Sequence, residues 1–189
     1  MKKWFKVNAM QKLRWQPVSL LATKGISPQL KDWLSYPGSF IKRLKEHGIT
    51  QPKISVLNEC WKCPELEEAR LLDIKPRLYA RVREVLIYSD QGPLMVARTV
   101  IPRTTLTGKE QQLAYLKTRS LGSILFKDVS VERTEFEYAC IKPSTKEYVR
   151  IEKAVDDKAS EYWARRSLFY IKNKPLLLTE IFLTKIECL

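Results

Sequence analysis

Two β-rich runs joined by a short polar turn constrain the fold of this chain more than any other sequence feature. Residues 79–88 and 94–101 are rich in valine, leucine and isoleucine, and the turn between them contains Asp90, Gly92 and Pro93. Glycine and proline favour turns and β-branched side chains favour strands, so this pattern predicts a β-hairpin. The middle of the chain should therefore form two neighbouring antiparallel strands.

The remaining predicted elements are helices before this hairpin and mostly strands after it. Ser27 and Ser39 stand where helix N-caps are expected, and Thr107 with Glu110 has the spacing of a capping box. The predicted helices cover residues 27–34, 40–47, 107–117 and 119–126. Further strands are predicted over residues 54–61, 129–141, 167–171 and 175–183, with loops or short helical turns over 64–76 and 142–162. Because no repeated βαβ alternation is present, the expected class is α+β with an antiparallel sheet.

The composition fits one domain over residues 1–189. The chain is 44% hydrophobic and carries a formal net charge of +13, with lysine and arginine spread along its whole length. Nucleic-acid-binding proteins usually concentrate such charge in a stripe or tail, so the dispersed charge favours a basic surface or an anionic partner. Residues 1–15 lack the apolar run of a signal peptide, and the longest apolar stretch, 175–183, is too short to span a bilayer. We therefore expect a cytoplasmic protein without membrane insertion.

The cysteines are expected to be reduced thiols. Cys60 and Cys63 have the spacing of a zinc or redox pair, but there is no second such pair and the one histidine is His47. A structural zinc site needs four ligands, and a thioredoxin motif opens a helix, whereas the residues before Cys60 read as a strand. The pair is therefore interpreted as a strand end, with no metal. The common nucleotide-binding, zinc-protease and serine-hydrolase motifs are also missing from the sequence.

Glu180 and Arg83 place charges inside otherwise apolar predicted strands. Both faces of the strand over residues 175–183 are apolar, so this strand should be central and Glu180 should be buried. Three interpretations are open. Glu180 forms a buried structural ion pair with an arginine, or it lies at a strand end and reaches solvent. Alternatively, an acid and a base line an internal pocket for a small ligand that carries a carboxylate.

Four ordered segments resemble the chorismate pyruvate-lyase family. They are VREVLIYSDQGPLMVARTVIP (82–102), RSLGSILF (119–126), WARRS (163–167) and KPLLLTEIFL (174–183). Weaker similarity in the two N-terminal helices extends the resemblance to nearly the whole chain. It implies an α+β fold with an antiparallel sheet of about six strands, and helical flaps that cover an internal ligand site.

The resemblance also implies an activity and the residues that carry it. Members of this family convert chorismate into 4-hydroxybenzoate and pyruvate without a cofactor, and this step commits chorismate to ubiquinone in bacteria. Arg83 matches the arginine that binds the ring carboxylate, and Glu180 matches the glutamate that contacts the hydroxyl para to it. Leu121 matches the residue whose backbone N–H also holds the carboxylate. Arg83 and Glu180 are therefore the candidate catalytic residues.

Two further residues match family positions near the ligand. Phe40 stands where the family has a ligand-contacting methionine, and Arg98 matches an arginine associated with the inner site and ligand passage. Ala97 stands where the family often has glycine, and the segment over residues 142–162 is longer than the usual connection. Arg98 is expected to neutralise the side-chain carboxylate of chorismate.

Two other functions are open alternatives. The same fold class serves as an effector-binding domain in some transcription regulators, so a non-catalytic sensor of small aromatic acids is the main one. Such regulators normally carry a separate DNA-binding domain, and no clear helix-turn-helix precedes the first predicted strand. Nucleic-acid binding is the other alternative, and the dispersed charge argues against it. The expected partners are chorismate and 4-hydroxybenzoate, and the expected state is a monomer.

Overall fold

An antiparallel sheet of eight strands is the centre of the structure, a computed structural model that describes residues 10–75, 77–126 and 130–189. The strands are β1 (Gln16–Pro17), β2 (Lys53–Lys62), β3 (Ala80–Ser89), β4 (Gly92–Pro102), β5 (Val131–Arg133), β6 (Glu137–Ile141), β7 (Tyr162–Ile171) and β8 (Lys174–Phe182). The helices are α1 (Pro28–Ser35), α2 (Phe40–Glu46), α3 (Leu66–Leu71), α4 (Gly122–Leu125) and α5 (Lys146–Ala154). Short 3₁₀ helices cover Val18–Thr23, Gly108–Tyr115 and Thr184–Cys188. The expected α+β class with an antiparallel sheet is confirmed.

The strands lie in the order β1-β6-β7-β8-β4-β3-β2, and β5 pairs with the part of β7 beyond β6. About six strands were expected, and the difference has two sources. β1 is a two-residue strand, and the strand predicted over residues 129–141 is divided into β5 and β6, with Val129 outside the described residues. The division occurs at Thr134, whose hydroxyl takes the place of a backbone carbonyl and accepts a hydrogen bond from Leu168 N–H at 3.0 Å.

The predicted hairpin is confirmed as β3 and β4. Ser89 pairs with Gly92, which leaves Asp90 and Gln91 as the turn, and Gly92 has a φ of +125° that favours glycine. A register shift follows one residue into the hairpin: Tyr88 pairs with Pro93, but Ile87 pairs with Met95. This β-bulge moves every later residue of β4 to the opposite face of the sheet.

Two predicted segments differ from the observed ones. The capping box at Thr107 does not form, because Glu110 instead binds Lys172 at 3.0 Å, and the following residues form a 3₁₀ helix rather than a regular one. The segment over residues 142–162 contains α5, which is capped by the Thr145 hydroxyl and buries Tyr148 and Ile151. β7 begins five positions before its predicted start, because strands on both sides pair with it.

Helices cover both faces of the sheet. We call the face that carries Arg83 and Glu180 the cavity face; α1, α2 and α4 pack on it. We call the opposite face, which carries Arg98, the ion-pair face; α3 and α5 pack on it. Strand alternation divides the residues between the two faces, so each central strand is buried on both sides.

Candidate active site

A partly open cavity lies between the cavity face and the helices that cover it. Its volume is about 50 Å³, which is room for roughly four waters with a combined share of roughly 120 Å³ of liquid. A compound with one six-membered ring has a comparable size. Most of the lining is apolar, and four of the predicted site residues contribute to it: Phe40, Arg83, Leu121 and Glu180.

Arg83 and Glu180 lie two strands apart on the same face. Arg83 of β3 pairs with Thr99 of β4, and Glu180 of β8 pairs with Ala97 of β4. Two strand spacings and a two-residue offset separate their Cα atoms by about 12 Å. The two side chains therefore border the same cavity from different positions, with space for a ring between them.

Arg83 is a buried cation with unused hydrogen-bonding capacity. Only 4% of the residue is exposed, and its Nη2 donates to the carbonyl oxygens of Lys117 and Arg119 at 2.6 and 3.1 Å. Its Nε has no hydrogen-bond partner within the described residues; the nearest carboxylate oxygen, from Glu59, is 3.9 Å away. Burial lowers the pKa of Arg83, and the charge of Glu59 opposes that shift. Neutral carbonyls thus accept the hydrogen bonds of the guanidinium, and Glu59 forms only a long ion pair with it, which leaves Arg83 capacity to bind an anion.

Leu121 and Phe40 each stand at the start of a helix that covers the cavity. Leu121 precedes α4, and its N–H donates no hydrogen bond within the described residues. Phe40 is the first residue of α2, which is capped by Ser39, and its ring packs on Trp33 and Phe182 with centroids 5.4 and 5.9 Å apart. Both predicted positions therefore reach the cavity.

Glu180 is buried and paired with two arginines. Its carboxylate accepts hydrogen bonds from Arg165 Nε at 2.7 Å and Nη2 at 3.2 Å, and from Arg133 Nη2 at 3.3 Å. Burial raises the pKa of Glu180, but the charges of Arg165 and Arg133 outweigh it, so the net shift is downward. The carboxylate is therefore ionised at neutral pH. Glu180 is therefore a buried ion-paired acid, as one interpretation predicted, and it also lines the cavity.

Arg165 connects Glu180 to the helix that covers the cavity. Its Nη1 donates to the carbonyl oxygens of Trp33 and Tyr36, at 2.9 and 2.6 Å, at the C-terminal end of α1. These carbonyls have no partners within the helix, and a guanidinium is well suited to cap them. The sequence prediction began β7 after Arg165 and so did not assign it. In a longer predicted strand, side chains alternate between the two faces, which would have placed Arg165 on the cavity face and Arg166 on the other.

Arg133 is a second site residue that the sequence analysis did not identify. It lines the cavity, and its Nε donates to Ser167 Oγ at 2.8 Å while its Nη1 donates to the Pro37 carbonyl at 3.1 Å. Burial lowers the pKa of Arg133 to about 10, with Glu180 opposing the shift and Arg165 adding to it. The residue lies within the predicted strand over 129–141, at the end of β5.

Arg98 does not line this cavity. The bulge in β4 pairs it with Glu84 on the ion-pair face, where its Nη1 donates to Glu84 at 2.6 Å. Its Nε and Nη2 donate to Glu68 at 2.7 and 2.9 Å. Arg98 instead borders a wider groove of about 630 Å³ beside α3 and α5. The expectation that Arg98 neutralises the side-chain carboxylate of a ligand in this cavity is therefore corrected: without the bulge Arg98 would lie opposite Arg83, and with it the two point to different faces.

The cysteines lie outside the cavity. Cys60 is within β2 and Cys63 follows its last residue, as the strand-end interpretation predicted; both are free thiols. Across the described residues, no group of three or more His, Cys, Asp and Glu side chains is arranged to hold a metal ion. None of the helices described for this chain has both the length and the apolarity to cross a bilayer.

Solved structures show the same fold. PhnF from Mycobacterium smegmatis has a TM-score of 0.56 at 10% sequence identity, covering 79% of this chain and 65% of that one. The effector domain of the same protein, solved separately, has a TM-score of 0.51 at 11% identity and covers 78% of this chain and 90% of that one. At such low identity the likeness concerns the fold alone.

Sequence comparisons identify the family as well as the fold. A protein of Coxiella burnetii named "Probable chorismate pyruvate-lyase" is 32% identical over 172 residues, covering 91% of this chain and 92% of that protein. One of Nitrosomonas europaea with the same name is 29% identical over 178 residues, covering 93% and 96%. The model of the chorismate lyase family matches residues 9–186. This chain therefore belongs to the chorismate lyase family.

Proposed function

We propose that this protein is a chorismate pyruvate-lyase that converts chorismate into 4-hydroxybenzoate and pyruvate. The observation that carries the proposal is the mostly apolar cavity bordered by the Arg83 guanidinium and the ionised Glu180 carboxylate. An aromatic acid with a para hydroxyl has the complementary groups, since a guanidinium binds a carboxylate and a carboxylate accepts a hydrogen bond from a hydroxyl. Family membership supplies the link from this ligand class to the reaction.

The proposed reaction needs orientation more than covalent chemistry. The C–O bond to the enolpyruvyl group breaks, and the ring carbon that bears the hydroxyl loses its hydrogen as a proton. The ring becomes aromatic, and the released enolpyruvate takes up a proton to become pyruvate. Since aromatisation makes the reaction strongly downhill, the protein's contribution is to hold the ring and to stabilise charge on the leaving group.

Arg83 and Leu121 would hold the ring carboxylate. Within the described residues, neither the Arg83 Nε–H nor the Leu121 backbone N–H donates a hydrogen bond. Two donors converging on one carboxylate would set the direction of the ring axis. The Phe40 ring would pack beside the ligand at the start of α2.

Glu180 would accept the hydrogen bond of the ring hydroxyl. Its lowered pKa makes it a weak base, so positioning is the role that its surroundings favour. Removal of the ring proton by Glu180 is a second hypothesis, tested by the same variant. The Glu180→Gln substitution keeps the shape and removes the charge; if its kcat is unchanged, Glu180 has no acid–base role.

The decisive experiment is incubation of the purified protein with chorismate. Formation of 4-hydroxybenzoate, followed by its ultraviolet absorbance, together with equimolar pyruvate, followed by a lactate dehydrogenase assay, is the expected result. The fold shared with the PhnF effector domain favours one other function, a non-catalytic sensor of aromatic acids. Saturable binding of 4-hydroxybenzoate without any turnover of chorismate would favour the sensor and contradict the lyase.

The biological setting follows from the product. We propose that the 4-hydroxybenzoate supplies ubiquinone synthesis and that the enzyme works in the cytoplasm, where chorismate is made. Growth of a ubiquinone-deficient lyase knockout, restored by this gene or by added 4-hydroxybenzoate, would test this. Restoration by the compound but not by the gene would contradict it.

A further inference from the structure

Arg133 is a buried cation at the Glu180 end of the cavity, and it has more N–H groups than the hydrogen bonds described for it. A guanidinium carries five N–H groups, of which Nε holds one and each terminal nitrogen two. Within the described residues, Nε donates to Ser167, Nη1 to Pro37 and Nη2 to Glu180. By this count one N–H on each terminal nitrogen is uncommitted within the described residues, so the guanidinium keeps donors for a carboxylate.

Aromatic rings fix the guanidinium in this position. The Arg133 Cζ lies 4.1 Å from the centroid of Phe136 and 4.5 Å from that of Phe169. Cation–π contacts of this length hold the planar group while leaving its edge available. Phe126, which also lines the cavity and is 46% exposed, lies 6.0 Å from the same carbon, so this end of the cavity is its solvent side.

Chorismate has a second carboxylate that must meet the protein at this end. Its enolpyruvyl ether is attached to the ring carbon adjacent to the one that bears the hydroxyl. A ring whose hydroxyl contacts Glu180 therefore directs the enolpyruvyl carboxylate to the immediate neighbourhood of Glu180. Arg133, whose Nη2 is 3.3 Å from that carboxylate, is the cation that lines the cavity there.

We propose that Arg133 binds the enolpyruvyl carboxylate of chorismate and stabilises it as enolpyruvate leaves. The proposal rests on the function proposed above. It transfers to Arg133 the role that sequence resemblance suggested for Arg98, whose donors on the other face are engaged by Glu68 and Glu84. Arg165 is unsuited to this role because its terminal nitrogens are directed to Glu180 and to the end of α1.

Two matched ligands isolate this contact. 3-Methoxy-4-hydroxybenzoate and 3-carboxymethoxy-4-hydroxybenzoate share the ring, the carboxylate and the hydroxyl, and only the second carries an anion where chorismate has its side-chain carboxylate. In the unsubstituted protein the carboxymethoxy compound should bind about 10-fold more tightly, as one charge-assisted contact predicts. In Arg133→Met the two affinities should become equal, and Arg133→Lys should recover part of the difference, since it keeps the charge but not the fork.

Kinetics provide a second measurement. Arg133→Met should lower kcat/KM for chorismate at least about 10-fold, while the Kd of 4-hydroxybenzoate, which lacks the side chain, should change less than about 3-fold. The control is Arg43→Met, which removes another buried arginine. Arg43 stacks on Trp33 and Tyr36 at 4.8 and 4.1 Å and does not line the cavity, so its variant should keep the ligand preference.

The proposal is overturned if folded Arg133→Met retains the preference for the carboxymethoxy compound, or if the unsubstituted protein has none. Thermal melting and the Kd of 4-hydroxybenzoate establish that the variant is folded, and Arg133→Lys repeats the comparison if the methionine variant is unstable. Failure of the proposed function is a separate result: a protein that binds both ligands but never turns over chorismate loses the lyase assignment, while the Arg133 contact is still measured.

Discussion

The two faces of the sheet bury arginines in different ways. On the ion-pair face, Arg98 donates three hydrogen bonds to Glu68 and Glu84, so its charge is matched by carboxylates. On the cavity face, Arg83 donates to two neutral carbonyls, and its Nε forms no hydrogen bond within the described residues, with the Glu59 carboxylate 3.9 Å away. An arginine matched by carboxylates stabilises the fold, whereas one positioned by carbonyls keeps its charge for a ligand.

The acids on the two faces show that pKa alone does not reveal this difference. Burial raises the pKa values of Glu84 and Glu180, and neighbouring arginines lower both below the ordinary value. Both carboxylates are thus ionised and paired. What separates them is that Glu180 lines a cavity together with Arg83, and Glu84 does not. The site is identified by free hydrogen-bond donors beside a cavity, more than by the pKa shift of any one group.

The strongest test of this contrast is Arg83→Met. The substitution keeps most of the side-chain volume and removes the donors, so the Kd of 4-hydroxybenzoate should rise about 100-fold, the effect of losing a charge-assisted carboxylate contact. Isothermal titration calorimetry measures it, with circular dichroism to confirm that the variant is folded. Unchanged product affinity would show that Arg83 does not anchor the carboxylate.

The matched variant on the other face is Arg98→Met. It leaves Glu68 and Glu84 as uncompensated, partly buried charges, so the free energy of unfolding should fall by about 2 kcal/mol, less than for a fully buried pair. Product affinity should change less than about 2-fold, since Arg98 is absent from the cavity lining. Urea unfolding and titration calorimetry give the two values. A large loss of affinity with normal stability would reverse our assignment of the two faces.

The smallest expected effect concerns pH and an ion pair at the edge of the ion-pair face. Burial raises the pKa of Glu65, but hydrogen bonds from Lys146 and Arg150 outweigh it and lower the value to about 2. A depressed acid pKa contributes stability above the ordinary value, and that contribution is lost as pH falls toward 2. Because 37% of the Glu65 side chain is exposed, solvent screens the pair and the loss should be under about 1 kcal/mol.

Glu65→Gln is the matched variant for this measurement. It cannot ionise, so its stability should fall less steeply than that of the unsubstituted protein between pH 5 and pH 3. Urea unfolding at several pH values in this window gives both curves. Parallel curves would mean that the contacts of Glu65 with α5 contribute nothing measurable.

Local patterns in the sequence were sufficient to predict most of the fold. The hairpin, the two serine-capped helices and the final strand lie within a residue or two of their predicted positions, because capping, turn chemistry and alternation act between near neighbours. Burial of Glu180 followed from the apolar residues on both sides of it. The early part of β7 was missed because two consecutive arginines are not typical of a buried strand. The carboxylates that pair with them cannot be identified from the sequence.

The types and order of residues in the sequence determined that the chain forms an α+β fold with buried charges. The family resemblance predicted that Arg83, Leu121, Phe40 and Glu180 share one site. Tertiary structure alone decided the rest. Glu180 is paired with Arg165 and Arg133 because separate strands meet in the sheet, and no spacing along the chain encodes that contact. One bulge in β4 sends Arg98 to the opposite face from Arg83, since a shift of one residue exchanges the two faces of a strand.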